Sequence, residues 1–330
     1  MTEEINEIEE EIEEATSKKR SPFVNTLIRL VKEKPLGTMG AVVTVLFILI
    51  GIFANLSWIG LPKIGIAPYG YNDIHLADRL QPPSTQYLLG TDNLGRDLLS
   101  RLLYGARYSM LVGISVSFFA VCIAVFIGSI SGYIGGKLDL ITQRVVDAFM
   151  CIPPLIFILT ILAVTGPGLL QVILVLGILY GVGNSRVIRS AVLVVKENIY
   201  VTAATSIGAK HVTVLLKHIL PNIVATILII FTVDIGAAII SEATVSFLGY
   251  GIPAPIPSWG GMLSRSSRQY MLQAPWMAFW PGLCLGVVVY GINMLGDALR
   301  DIFDPRLRGG LGKYGGLNQK KITKLLKKRI

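Results

Sequence analysis

From Met39 to Trp58 the chain runs for 20 residues without a single Asp, Glu, Lys or Arg. At 1.5 Å of rise per residue, a helix of that length reaches across the ~30 Å hydrocarbon core of a bilayer. Inside hydrocarbon each backbone N–H and C=O must be satisfied within the segment, so the run has to be helical. The same reasoning applies to five more apolar stretches, at about 109–134, 145–164, 169–187, 223–247 and 276–295. The expectation is an all-α integral membrane protein with six transmembrane helices.

Composition points the same way. Hydrophobic residues make up 52% of the 330 and charged residues only 15%, against about 25% charge in soluble domains. Mean hydropathy is +0.63. A net charge of +9 would suit a nucleic-acid binder. Here, however, the basic residues sit in short segments between apolar runs, where the positive-inside rule accounts for them, and no nucleic acid is expected as a partner. Cys122, Cys151 and Cys284 lie in apolar runs without C-x-x-C spacing. They predict packing roles, not disulfides or a metal site. A long polar segment precedes the first apolar run, so that run reads as a retained span, not a cleaved leader.

The charges also set the orientation. Lys18, Lys19, Arg20, Arg29, Lys32 and Lys34 precede the first span, and Arg300, Arg306 and Arg308 follow the last. Both termini are therefore expected in the cytoplasm, which is consistent with an even number of spans. Segment 184–222 carries Arg186, Arg189, Lys196, Lys210 and Lys217 and is placed inside. Segment 59–103 has no cationic excess, 165–168 is a tight uncharged turn and 248–275 is a loop of prolines and glycines, and all three are placed outside. In the first of these, Asp92, Asn93 and Gly95 suit a turn, and Asp97 suits the N-cap of a following helix.

Within the cytoplasmic segment, residues 197–222 predict a short helix, a tight bend and a second helix lying at the membrane surface. Ala203 and Ala204 favour helix and Gly208 breaks it. His211 to His218 has helical spacing, and Pro221 is expected to stop the second piece. Pro153-Pro154 predicts a kink inside the third span.

Ionisable residues in or near spans are the exceptions worth explaining: Asp147, Asp234, Glu242 and Asp297. A lone carboxylate at mid-membrane costs at least ~2.5 kcal/mol, so these are expected to face the bundle interior or water. Asp234 and Glu242 are eight residues apart and share a helix face. That face either lines a path, as favoured for Asp234, or pairs internally as a gate or prop, as favoured for Glu242. Asn293 and Asp297 are placed near the inner end of the sixth span with Arg300 as a local partner. No G-x-x-x-x-G-K-[ST], H-E-x-x-H or G-x-S-x-G motif occurs, so no enzyme chemistry and no bound cofactor or metal is expected in this chain.

Five segments, in order, resemble the C-type permease subunit of dipeptide/oligopeptide/nickel ABC importers. They are Leu89-Gly-Thr-Asp-Asn-Leu-Gly-Arg-Asp-Leu-Leu-Ser-Arg101, Val201-Thr-Ala-Ala…Gly208…His218-Ile-Leu-Pro-Asn222, Ser241-Glu-Ala-Thr-Val-Ser-Phe-Leu-Gly249, Pro257-Ser-Trp-Gly260 and Asp304-Pro-Arg-Leu-Arg308. The resemblance covers about residues 22–310. It implies a type I ABC importer permease fold in a bacterial or archaeal plasma membrane. Its organisation would be an acidic cytoplasmic tail (1–21), a first amphipathic segment with span one (22–58), an external segment (59–103), a permease core (104–299) and a basic cytoplasmic tail (300–330). The acidic tail reads as solvated or as a partner-binding helix. The basic tail reads as solvated, lying on an anionic leaflet, or pairing with the acidic one.

The partners implied are a homologous second permease, two ABC ATPases that use ATP and Mg, an extracytoplasmic solute-binding protein and the lipid bilayer. The implied activity is alternating-access import of short peptides or a related small solute. The resemblance assigns ATPase coupling to Thr202, Ala203, Ala204, Thr205, Gly208, Ala209, Lys210, Leu216, Lys217 and Pro221. Path or gate positions would be Asp147, Asp234, Glu242 and Asn293. Contact with the binding protein, or an external gate, would involve Asp92, Arg96, Asp97, Arg101, Ser258, Trp259 and Arg265. The family's loop usually has Glu where this chain has Thr202 and often Arg where it has Thr205. Docking here should then lean on helix shape, on Ile207, Val212 and Leu216, and on Lys210 and Lys217. The competing reading is an ion-coupled secondary transporter using Asp234 and Glu242.

Overall fold

The computed structural model describes residues 22–54 and 65–303. The acidic tail, most of the basic tail and the Asp304–Arg308 motif lie outside the described residues. The regular secondary structure of the described residues is helical, apart from one isolated bridge between Thr91 and Asp97, and residues 65–97 are mostly turns and irregular chain. The chain divides into two units. Of the described residues, the smaller comprises 22–35 and 298–303, and the larger 36–54 and 65–297. In the smaller, α1 (Pro22–Glu33) carries an Arg29–Glu33 pair one turn apart, and Lys34 Nζ lies 2.5 Å from Asp301 Oδ2.

The larger unit is the bundle. The helices that lie wholly or mainly in it are α2 (Pro35–Phe53), α3 (Leu98–Ile134), α4 (Gly136–Met150), α5 (Pro154–Thr165) and α6 (Leu169–Lys196), followed by α7 (Ile199–Ser206), α8 (His211–Val214) and α9 (Leu220–Phe247). The short α10 (Trp259–Met262) and α11 (Arg265–Tyr270) come before α12 (Trp276–Phe303). Among the described residues, five segments are long and apolar enough to span a membrane: α2, α3, α6, residues 211–247 as one run, and α12. The pair α4 and α5 makes a sixth, bent by 83°.

Helix direction follows from which residues meet. A Cβ added at Gly181 would lie 2.6 Å from Ile123 Cβ, and one at Gly128 would lie 2.4 Å from Ser185 O. Residue numbers rise together along this contact, so α3 and α6 run parallel, at a separation only glycine permits. Parallel neighbours need a return crossing between them, and α4 with α5 supplies it. Along α6 and α9 the numbers run oppositely, with Asn184 on Asp234 and Tyr180 on Ser241, so this pair is antiparallel. α12 is antiparallel to α9, since Gly236 meets Asn293 and Gly296 meets Thr232.

Several expected boundaries need correction. The second span starts at Leu98, not near 109, because Asp97 Oδ2 accepts from Ser100 N at 2.8 Å and Ser100 Oγ at 2.6 Å and starts the helix early. The third is not a kinked helix over 145–164. Residues 151–153 break it fully, and Pro154 opens a new helix at a position where its missing N–H is harmless. The fourth continues to Lys196.

Pro221 does not stop a helix. Residues Leu215–Ile219 form a π-turn in which Leu220 N donates to Leu215 O, five residues back. This wider turn absorbs the misfit of the ring, Asn222 Nδ2 takes His218 O at 2.6 Å, and the helix continues into α9. The cysteines do not all pack in the core either: Cys122 and Cys151 are exposed and Cys284 is half-buried.

Candidate functional site

One end of the bundle carries the α7–turn–α8 unit. α7 ends in a reverse turn in which Gly208, at φ +83°, donates to Thr205 O at 3.0 Å and Ala209 N donates to Ala204 O at 3.1 Å. This is the Schellman arrangement, and an L side chain at Gly208 would be strained. Val201, Ala204, Val214 and Ile219 point into a buried cluster with Ile188, Val192 and Tyr133, which fixes the unit to α3 and α6. The opposite face is uncovered: Ile199 is 87% exposed, Ile207 86%, and Val212 and Leu216 more than half. Thr202, Ala203, Thr205, Lys210, Lys217 and Pro221 are exposed and Ala209 half-buried.

Of the residues assigned to coupling, Ala204 is the buried one, and it acts as an anchor. Thr202 and Thr205 line a cleft of about 490 Å³ with Tyr133, Ile134, Lys196, Val201 and His211. Lys196 Nζ donates to Tyr133 O at 2.6 Å, and Tyr133 Oη lies 3.0 Å from His211 Nδ1. The sequence reading missed Tyr133 and Lys196 as props, since they come from helices closed by other loops.

The same end holds α4 against its neighbours. Arg189 grips Asp139 through Nε at 2.6 Å and Nη2 at 2.5 Å, and Ser131 Oγ adds a third bond to that carboxylate at 2.5 Å. Asp147 pairs with Arg186 and, at 3.6 Å, with Arg144. Asp147 therefore sits in a salt-bridged, half-exposed position on the bent pair.

Asp234 and Glu242 lie on α9, both buried. Asp234 Oδ2 accepts from Asn184 Nδ2 at 2.7 Å. Glu242 Oε1 accepts from Ser246 Oγ at 2.6 Å, and its Oε2 has no partner among the described residues. Ser246 Oγ also accepts from Ile252 N at 3.2 Å, so Glu242 braces the turn after α9. Asn293 is exposed in the single chain and lies beside Gly236. Asn184 was visible in the sequence as part of Gly183-Asn184-Ser185-Arg186, a polar interruption at the end of the fourth apolar run.

At the far end, Asp92 Oδ1 accepts from Leu94 N and Arg96 N, Asp92 Oδ2 meets Arg96 Nε at 2.7 Å, and Arg101 Nη1 donates to Tyr71 O at 2.8 Å. Trp259 is fully buried, donating Nε1 to Leu102 O at 3.2 Å, and Ser258 caps α10 through Gly261 N. Asp92, Asp97, Arg101, Ser258 and Trp259 are all under 9% exposed. In the single chain these polar groups satisfy each other and nearby backbone, so they shape the outer segment from within. Arg96 is half-buried, and the Arg265 side chain lies outside the described residues.

Parallel and antiparallel spans around a buried carboxyl face, with an uncovered helix–turn–helix at one end, define a multi-pass membrane permease. Comparison with known proteins gives the family. Residues 124–309 match the binding-protein-dependent transport system inner membrane component. The chain is 36% identical to the dipeptide transport system permease protein DppC of Alkalihalophilus pseudofirmus, over 87% of this chain and 91% of that protein. It is 35% identical to the oligopeptide transport system permease protein OppC of Bacillus subtilis, over 90% and 93%. It is 36% identical to the glutathione transport system permease protein GsiD of Escherichia coli, over 85% and 90%. The chain belongs to the binding-protein-dependent transport system inner membrane component family. That membership does not favour the ion-coupled alternative.

Proposed function

We propose that this chain is one of two permease subunits of an ATP-driven importer of short peptides in a bacterial plasma membrane. The observation that carries the reading is the uncovered apolar row Ile199, Ile207, Val212 and Leu216 on a rigid helix–turn–helix at one end of the bundle. Among exposed positions, a cluster of this kind marks an interface. The chain has no nucleotide-binding loop, so hydrolysis must come from partners, and two ABC ATPases docking on this row supply it. Lys196, Lys210 and Lys217 support a cytoplasmic location for this end.

The relatives carry dipeptides, oligopeptides or glutathione by name, which supports a peptide as cargo, delivered by an extracytoplasmic binding protein. ATPase closure pushes α7 and α8. Val201, Ala204 and Val214 pass the displacement to α3 and α6, and the Asp139–Arg189 fork carries α4 with them. The α9 face bearing Asp234, the Asp147 position and Asn293 border the path, which a homologous permease completes. Glu242 holds the outer turn as a gate support.

Gly208→Pro tests the reading, because proline can neither adopt φ near +83° nor donate to Thr205 O. In the reconstituted complex it should abolish peptide-dependent ATP hydrolysis and uptake. Wild-type coupling in this variant would sink the assignment.

A further inference from the structure

A cleft of about 250 Å³ opens between the bent pair α4–α5 and the paired helices α6 and α9. Its two walls differ chemically. One is apolar: Phe149, Met150, Ile152 and Ile158, with Leu179 beside them. The other is a polar line along α6 and α9. Asn184 Nδ2 is committed to Asp234, which leaves Asn184 Oδ1 with no hydrogen bond among the described residues. One turn along, Tyr180 Oη donates to Ala237 O at 3.2 Å and lies 2.7 Å from Ser241 Oγ. Each of these oxygens keeps a lone pair in reserve. Between them, Gly183 leaves the cleft open: a Cβ built there meets nothing within 4 Å.

We propose that this cleft is a substrate subsite that binds the peptide main chain, its amide N–H groups donating to Asn184 Oδ1 and to the Tyr180–Ser241 hydroxyl pair while side chains lie on the apolar wall. The inference rests on the permease reading above and adds the recognising atoms. The carboxyl of Asp234 fixes the Asn184 amide in the orientation that presents an acceptor, so Asp234 acts as a positioning residue. An acceptor line against an apolar wall discriminates on main-chain donors and accepts varied side chains. A ligand lacking those donors leaves a half-buried acceptor unpaired, which is the usual source of discrimination in such sites.

The test uses the full complex (both permeases, the ATPases and the binding protein) in proteoliposomes. Uptake of an alanine-rich tripeptide is compared with uptake of its backbone N-methylated analogue, in wild type and in Asn184→Leu. The binding protein's own preference cancels in the ratio between the two complexes. Parent-peptide uptake should fall about three- to tenfold in Asn184→Leu, the size of one lost hydrogen bond, with little change for the analogue. Equal loss for both peptides, or no loss for either, overturns the proposal. Because Asn184→Leu also strips Asp234 of its partner, Gly183→Leu serves as a second variant that fills the cleft from an open position. It should retain co-purification with the other subunits and lose uptake. Unchanged uptake, or loss of co-purification (which would make the cleft a helix-packing interface), overturns the subsite. Absence of any ATP-dependent peptide uptake by the wild-type complex would instead reject the underlying permease reading.

Discussion

Arg189 and Asp139 face each other through two parallel hydrogen bonds, 2.6 and 2.5 Å long, across 50 residues of chain. The fork ties α4, which leads the bent pair, to α6, which leads into α7. Both side chains are partly exposed, at 28% and 15%, so solvent weakens the pair relative to a fully buried one. Arg189→Gln should lower the stability of the purified protein by about 1–2 kcal/mol. Arg189→Lys should recover only part of this, because an ammonium cannot reproduce the fork. A double-mutant cycle with Asp139→Asn, read as thermal midpoints, isolates the pair. An Arg189→Lys variant as stable as the parent would show that the fork geometry is irrelevant.

Trp259 is the largest fully buried side chain among the described residues, its rings edge-on to Phe47 with centroids 5.5 Å apart and its N–H on Leu102 O. Trp259→Ala opens a cavity between α10, α3 and α2 and should cost about 3–5 kcal/mol. Trp259→Phe keeps much of the volume and loses one hydrogen bond, so about 1–2 kcal/mol is expected, including the smaller ring. Comparable midpoints for the two variants would place the energy in the hydrogen bond and not in packing.

These two contacts show what could be read from sequence. The span count, the Asp97 cap and the reverse turn at Gly208 each depend on residues within a few positions of one another, and all are legible. The π-turn that lets Pro221 continue a helix is not, because it depends on where Val214 and Ile219 must be buried. Trp259 reads as an outer contact residue in a loop of prolines and glycines. Its burial follows from Leu102 and Phe47, far away in the chain. Asp139 and Asp147 gain their partners on α6 only once α3 and α6 are known to run parallel, and that depends on which glycines meet.

Tyr87 predicts a pH effect in the segment before α3. Its hydroxyl donates to Asp78 Oδ2 at 2.8 Å. That bond, with burial and the Asp78 charge, pushes its pKa up from 10 to about 12. The folded protein thus holds this proton more tightly than the unfolded chain. The stabilisation is complete below pH 10 and is lost as pH rises from about 10 to about 12. The thermal midpoint should fall across that window, and Tyr87→Phe should flatten this part of the profile while lowering the midpoint at neutral pH. A profile identical in the two proteins would exclude Tyr87 as its source.

Ile207 separates docking from folding. It is 86% exposed at the crest of the α7–α8 turn, and the adjoining backbone bonds, Gly208 N to Thr205 O and Ala209 N to Ala204 O, do not involve its side chain. Ile207→Asp should therefore leave the stability of the isolated chain within about 0.5 kcal/mol of the parent. If the apolar row is the ATPase-docking surface, the same change buries a carboxylate in an interface core. It should weaken association with the ATPases by about 2 kcal/mol or more, roughly 30-fold in affinity. Leu216→Asp, on the same row, should behave alike, whereas Thr202→Asp, which faces the cleft beside Lys196 and His211, should be milder. The comparison is made by titrating purified ATPase against the permease pair in nanodiscs, with thermal midpoints of the same samples as the control. Intact ATPase binding by both row variants would remove the row from the interface and leave the charged positions Lys210 and Lys217 to account for docking.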